Sequence, residues 1–228
     1  MSTISKMNLV NHNFMESREG FGTPSEPPPR PSALIASLGV AWLALVLAGT
    51  FLMLAYANTP GRAGSPPEKW PLSSQLARDH NQPALVVFIH PHCPCSRASV
   101  GELASLMAHW PGKVKASVLF LHPPGTPTGW HLTDLWEAAT RIPGVAVRAD
   151  EDGREAKLFH IETSGDTVLY DASGRLKYHG GITLSRGHSG DNPGRDSLEA
   201  RLLGWAGQPV TAPAFGCSLL APAAKPNR

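Results

Sequence analysis

The chain has 228 residues, 17% of them charged and 42% hydrophobic, with 22 glycines, 22 prolines, three cysteines and a formal net charge of +2. That length holds one domain of ordinary size and a smaller element beside it. Such a composition excludes a collagen-like or disordered chain, three cysteines cannot staple a small secreted scaffold, and the thinly spread charge argues against a nucleic-acid surface.

In chain order, residues 1–32 are polar, lack periodicity and end in a proline run, which reads as a disordered tail. Residues 33–57 carry no charge, with Ser37 and Thr50 as the polar interruptions. About 20 such residues cross the hydrocarbon core of a bilayer, so a single transmembrane helix is expected, with Tyr56 at an interfacial position. Arg18 and Arg30 before the span balance Arg62 and Lys69 after it, leaving the positive-inside rule silent. Ala55-Tyr56-Ala57 has the small-x-small form of a signal cleavage site, although the long leader and long apolar run fit an uncleaved anchor better. With the N-terminus in the cytoplasm, the chain beyond Asn58 is exported to the periplasm. Residues 58–71, rich in Pro and Gly, read as a linker. Residues 72–207 form the globular domain and residues 208–228 a C-terminal tail carrying Cys217.

Within the domain, residues 84–90 (ALVVFIH) suit a strand buried on both faces. Residues 96–110 show helical spacing through Val100, Leu103, Leu106 and Met107, stopped by Pro111-Gly112. A strand is expected over 115–122, a helix over 132–142, a short strand over 145–148 and a helix over 153–159. The Asp150-Glu151-Asp152 cluster reads as a helix start. Strands over 167–170 and 176–179 flank a turn at Asp171-Ala172-Ser173-Gly174. Asn192 and Pro193 cap a last helix running to about Ala206. Strands alternating with helices and ending in a hairpin imply a mixed α/β sheet covered by helices.

The sharpest local signal is Cys93-Pro94-Cys95, placed where a buried strand gives way to a helix. Helix N-termini favour a thiolate over a thiol, and two cysteines there can cycle between dithiol and disulfide. With one residue between them the disulfide closes a tight ring, and Pro94 stiffens it. His92, next to Cys93, is a candidate to lower a thiol pKa by its charge. A second reading is metal binding: His90 and His92 flank Cys93 and Cys95, and thiolates with imidazole suit copper or zinc. A third is a non-catalytic membrane interaction protein with two inert thiols.

The order strand, Cys-Pro-Cys, helix, strand, helix, hairpin and final helix resembles the thioredoxin fold. More narrowly, the run from His90 to Ser99, Thr163-Ser164-Gly165, Gly180-Gly181-Ile182-Thr183, Arg186-Gly187-His188, Gly190-Asp191-Asn192 and Phe215-Gly216-Cys217 resemble a bacterial family of membrane-anchored thioredoxin-like proteins labelled RedB. The likeness covers about residues 68–220. It implies a thioredoxin-like mixed sheet flanked by helices, preceded by one transmembrane helix, in which Cys93 is the attacking thiol and Cys95 its partner.

Two departures stand out. Thioredoxins place two residues between the cysteines, and they carry a cis-proline before the hairpin where this chain has Asp166. Loss of that proline weakens the expectation of broad disulfide exchange and strengthens the metal reading. The loop from Thr183 to Asn192 is an addition expected to bring Arg186 and His188 toward the cysteines. Cys217 reads as an inert lone thiol, a resolving cysteine for Cys93 or Cys95, or a third metal ligand.

The expected function is membrane-tethered thiol–disulfide exchange outside the cytoplasm on a protein thiol or disulfide partner, with no cofactor and no nucleic acid. The alternative is a copper-binding or metallochaperone domain using Cys93, Cys95, His90 and His92.

Overall fold

A computed structural model describes residues 32–204, 207 and 210–220 of the chain, which divides into two units, Met1–Val46 and Leu47–Arg228. The tail expected over residues 1–32, except Ser32, and the last-helix end near Ala206 lie outside the described residues. Helix α1 (Ala33–Ala57) has no buried residue, and its leucines, valines and Trp42 are exposed on every side. At 1.5 Å per residue it is about 37 Å long, enough for a hydrocarbon core of about 30 Å. Within Ala33–Asn58 an 18-residue window has a mean hydropathy of 2.3, and this segment is long and apolar enough to cross a membrane, a property it shares with signal sequences.

Strand β1 (Ala84–Ile89) is buried at every position, as its unbroken apolar run requires. Side chains alternate across a strand, so Leu85, Val87 and Ile89 enter one core and Val86 and Phe88 the other. On one side β1 pairs in parallel with β2 (Lys115–His122), which pairs in parallel with β3 (Val145–Glu151). On the other side it pairs antiparallel with β4 (Asp166–Tyr170), and β4 with β5 (Leu176–Gly181). A two-residue strand, β6 (Val210–Thr211), adds in parallel to β5, so the described sheet has the order β3-β2-β1-β4-β5-β6.

Parallel neighbours need crossovers. Helix α2 (Ser96–His109) links β1 to β2, and α3 (Asp134–Thr140) links β2 to β3. Together with α5 (Pro193–Leu202) they cover one face, where Leu103, Leu106, Leu135, Ala139 and Leu198 meet the sheet. Helix α4 (Arg154–Leu158) covers the other, with Phe159, Tyr170, Leu219 and Trp70.

The element order follows the sequence expectation, while several boundaries move. Strand β3 runs three residues past Arg148 because its backbone continues the ladder with β2 as far as His122–Glu151, though its side chains turn polar. Helix α3 is shorter than 132–142: Leu132 and Ile142 sit in the flanking turns, and Pro143 bars continuation. The acidic cluster starts α4 through Asp150, whose carboxylate accepts from the backbone N–H groups of Glu155 (2.8 Å) and Ala156 (2.9 Å). Asn192 caps α5 as expected, accepting from Arg195 N at 2.8 Å, with Pro193 at the helix start.

The stretch read as a linker, 58–71, lies along the domain. Trp70 packs edge-on against Phe159 and Tyr170, and Gly61 N donates to Ala214 O. The stretch read as a C-terminal tail supplies β6, a bridge from Ser218 to Thr163, and buried Leu219. Neither segment carries a helix or strand period, so their docking had no signature in the pattern of apolar residues.

Candidate functional site

The chain leaves β1 at Ile89 and winds into α2 through a tight turn. Cys93 N donates to His90 O (3.0 Å), Ser96 N to Cys93 O (3.1 Å), Arg97 N to Pro94 O (3.3 Å) and Ala98 N to Cys95 O (3.2 Å). These bonds consume backbone donors at the helix start and hold both cysteines buried, with Pro94 exposed between them.

The C-terminal segment returns to this turn. Cys217 Sγ lies 3.0 Å from Cys93 Sγ, and Cys217 N–H points at the same sulfur from 3.4 Å. The segment is pinned to the connection before β4: Ser164 N donates to Cys217 O (2.9 Å) and Leu219 N to Glu162 O (2.8 Å). The approach is so close that a Cβ on Gly216 would stand 1.8 Å from Ser164 O. Only glycine fits that contact. Ser164 in turn ties the connection to the cysteine turn, its hydroxyl accepting from His90 N (2.7 Å) and sharing a hydrogen bond with Ser96 Oγ (2.7 Å). Gly165, at φ +87°, donates its N–H to Phe88 O at 2.7 Å. Thus Cys93-Pro94-Cys95, Thr163-Ser164-Gly165 and Phe215-Gly216-Cys217, remote in sequence, form one locus.

The three thiols are unequal. Burial pushes Cys93 up, but hydrogen bonds from Cys217 and from Ser96 outweigh it and hold the thiol below its ordinary value. Cys95 is raised by burial and by the charge of Cys93, against the hydrogen bond and charge of Arg186. Cys217 is pushed up to about 12 by burial, its hydrogen bond to Cys93 and the charges of Cys93 and Cys95. Of the two, Cys93 is therefore the first to give up its proton.

Arg186 comes to the site, as its loop position led us to expect. Its Nη1 donates to Gly216 O (2.5 Å) and its Nε to Thr59 O (3.2 Å), which places the guanidinium beside the Cys217 segment. His188 does not reach the thiols; it is exposed, with its N–H bonded to Ser185 O. His92 is also exposed and turns its ring to Trp130, 4.4 Å between centroids, with Nε2 3.1 Å from Trp130 O. The groups that hold the Cys93 thiol down are thus Cys217 and Ser96, and the role expected for the His92 charge is not what sets it. Burial, then the charge of His92, depress His90, whose Nδ1 accepts from His92 N at 3.2 Å. Among the described residues no group of three or more His, Cys, Asp or Glu side chains is arranged to hold a metal ion.

Asp166 opens β4 opposite Phe88, and the described residues contain no cis peptide bond. Its carboxylate is buried against His179 Nε2 at 3.0 Å. Sequence reasoning passed over this pair, since a histidine inside a hairpin strand has no motif around it. It also passed over the hydroxyls of Ser96 and Ser164 as site groups. Both lie inside the motifs quoted for the family resemblance, which was the available signal.

A central β1 flanked by parallel β2 and antiparallel β4-β5, with α2 and α5 on one face and α4 on the other, defines a thioredoxin-like fold, and the paired thiols sit at its β1–α2 junction. No protein-family model and no curated protein matches the chain. Among solved structures, an uncharacterized conserved protein from Geobacillus kaustophilus superposes with a TM-score of 0.53 at 19% identity, covering 74% of this chain and 95% of its own. A hypothetical protein from Sinorhizobium meliloti 1021 gives 0.49 at 19% identity over 73% of this chain and 98% of its own. A secreted Mycobacterium tuberculosis disulfide oxidoreductase gives 0.41 at 18% identity over 55% and 83%. The first of these likenesses is one of fold.

Proposed function

We propose that the chain is a membrane-tethered thiol–disulfide oxidoreductase of the kind its RedB-like motifs imply, anchored by α1 with its domain in the periplasm. Cys93 is the nucleophile and Cys95 the second thiol of its motif. The observation that carries this reading is the Cys93 thiol, held below its ordinary value at a strand-to-helix turn with a second sulfur 3.0 Å away. A thiolate so placed attacks a disulfide sulfur of a partner protein, forming a mixed disulfide and releasing one partner thiolate. A second cysteine then attacks the Cys93 sulfur and releases the other. The partner disulfide gains two electrons, the domain dithiol loses two, and the reverse sequence oxidises a partner dithiol.

The test is to equilibrate the full chain in detergent over a series of reduced and oxidised glutathione mixtures, quench with an alkylating agent and count free thiols by mass. Two thiols, Cys93 among them, are expected to disappear together at one potential. Three thiols surviving throughout the series would overturn the reading.

A further inference from the structure

We propose that Cys217 is the resolving thiol of this site, so that the first intramolecular disulfide to form joins Cys93 to Cys217 and Cys95 acts afterwards. This rests on the thiol–disulfide reading above and names the residue that completes its second step.

Four observations carry it. The Cys93 and Cys217 sulfurs are 3.0 Å apart, and a disulfide bond of about 2.05 Å needs them to close by only about 1 Å. The segment bearing Cys217 is seated rather than loose. It pairs with the connection before β4 through Ser164 N to Cys217 O, Leu219 N to Glu162 O and the Thr163–Ser218 bridge, and Arg186 holds Gly216 O. Gly216 stands where a side chain would collide with Ser164 O, so the approach depends on the residue present at that point. Finally, closing a ring between Cys93 and Cys95 must pass through Pro94, whose fixed φ narrows the geometries open to it, whereas Cys217 meets Cys93 from a separate segment.

The proton arrangement times the step. While Cys93 is a thiolate, its hydrogen bond and charge hold the proton on Cys217. Once Cys93 is consumed in a mixed disulfide both influences vanish; burial still raises the Cys217 thiol, while the Arg186 charge favours its thiolate. Cys217 therefore loses its proton more readily after Cys93 has reacted than before. With glutathione disulfide as oxidant, Cys93 thiolate takes one glutathionyl group and releases glutathione thiolate. Cys217 loses its proton to that thiolate and attacks Cys93 Sγ, and the second glutathione leaves. The products are the Cys93–Cys217 disulfide and two glutathione molecules. Cys95 thiolate can then attack Cys93 Sγ, passing the disulfide to the Cys93–Cys95 pair and returning Cys217 to the reduced state.

The experiment compares Cys95→Ser with the Cys95→Ser, Cys217→Ser double variant, as full chains in detergent reacted with glutathione disulfide and quenched at short times. Cys95→Ser is expected to lose two thiols without holding a glutathione adduct, and to yield a cross-linked peptide pair containing Cys93 and Cys217. The double variant is expected to hold the adduct on Cys93. An adduct retained equally by both variants overturns the proposal. So does wild-type protein in which the earliest cross-link joins Cys93 to Cys95, a readout that needs no substitution. If the double variant takes up no glutathione at Cys93, the exchange reading itself fails, and this inference with it.

Discussion

Cys93 and Cys217, separated by 124 positions in the chain, place their sulfurs 3.0 Å apart, the Cys93 thiol held below its ordinary value and the Cys217 thiol pushed up to about 12. One sulfur of this pair is therefore prepared for attack and the other kept in reserve. Its consequence is an order of reactivity that a pH series reads directly.

Alkylation of a thiol follows its thiolate fraction. Cys93, held below the ordinary value, should reach half-maximal rate at the lowest pH of the three, Cys95 later, and Cys217 last, near pH 12. Restricted access of the reagent slows the absolute rates without moving these midpoints. Replacing Cys217 by Ala removes the hydrogen bond that favours the Cys93 thiolate, so the Cys93 midpoint should move up. Site-resolved mass spectrometry after brief iodoacetamide pulses checks both expectations. A Cys93 midpoint unchanged in the variant would show that the pair is not electrostatically linked.

Arg186 favours the thiolate of both Cys95 and Cys217. An Arg186→Gln variant should therefore raise both midpoints and slow release of glutathione from Cys93, with little change in the first attack. Stopped-flow measurement separates the two phases. Equal slowing of both would show that Arg186 acts by holding the segment through Gly216 O rather than by its charge.

A methyl group at position 216 would meet Ser164 O at 1.8 Å, far inside contact distance. Gly216→Ala should displace the segment, expose Cys217 and speed its alkylation at a fixed high pH. The core between the sheet and α2, to which residues 215–220 contribute nothing, should keep its cooperative unfolding. Unchanged protection of Cys217 would contradict the seat described here.

Asp150 offers a test of the fold alone. Its carboxylate satisfies two buried N–H groups at the start of α4, and nearby Glu155 accepts from Ser74 Oγ (2.6 Å) and Gln75 N (2.8 Å). Asp150→Ala leaves those two donors unpaired and should cost about 2 kcal/mol of stability, read from urea unfolding. The thiol reactivity order should persist, since α4 packs on the opposite face of the sheet from α2.

Local pattern made much of the fold legible. The run from Ala84 to Ile89 can only be satisfied by burial on both faces, and that puts β1 at the centre of a sheet. Asn192-Pro193 announced a helix start through cap chemistry that acts within three residues. Cys93-Pro94-Cys95 was readable as a reactive turn for the same reason: its setting is its immediate neighbours. Strand β6 and the packing of residues 58–71 were not legible, since a two-residue strand and a Pro- and Gly-rich stretch carry no period. His92 misled because adjacency along the chain does not fix where a ring points; here it turns to Trp130.

By itself, then, the sequence determined an apolar span, a central buried strand, the order of helices and strands, and two cysteines at a strand-to-helix junction. All of these follow from interactions between residues a few positions apart. What only the tertiary structure decided is which sulfur faces Cys93. That contact exists because β1 holds Gly165 through Phe88 O, Ser164 holds the backbone of Cys217, and a missing side chain at Gly216 lets two segments close to touching distance. Each of those conditions joins residues far apart in the chain, and no local propensity encodes them.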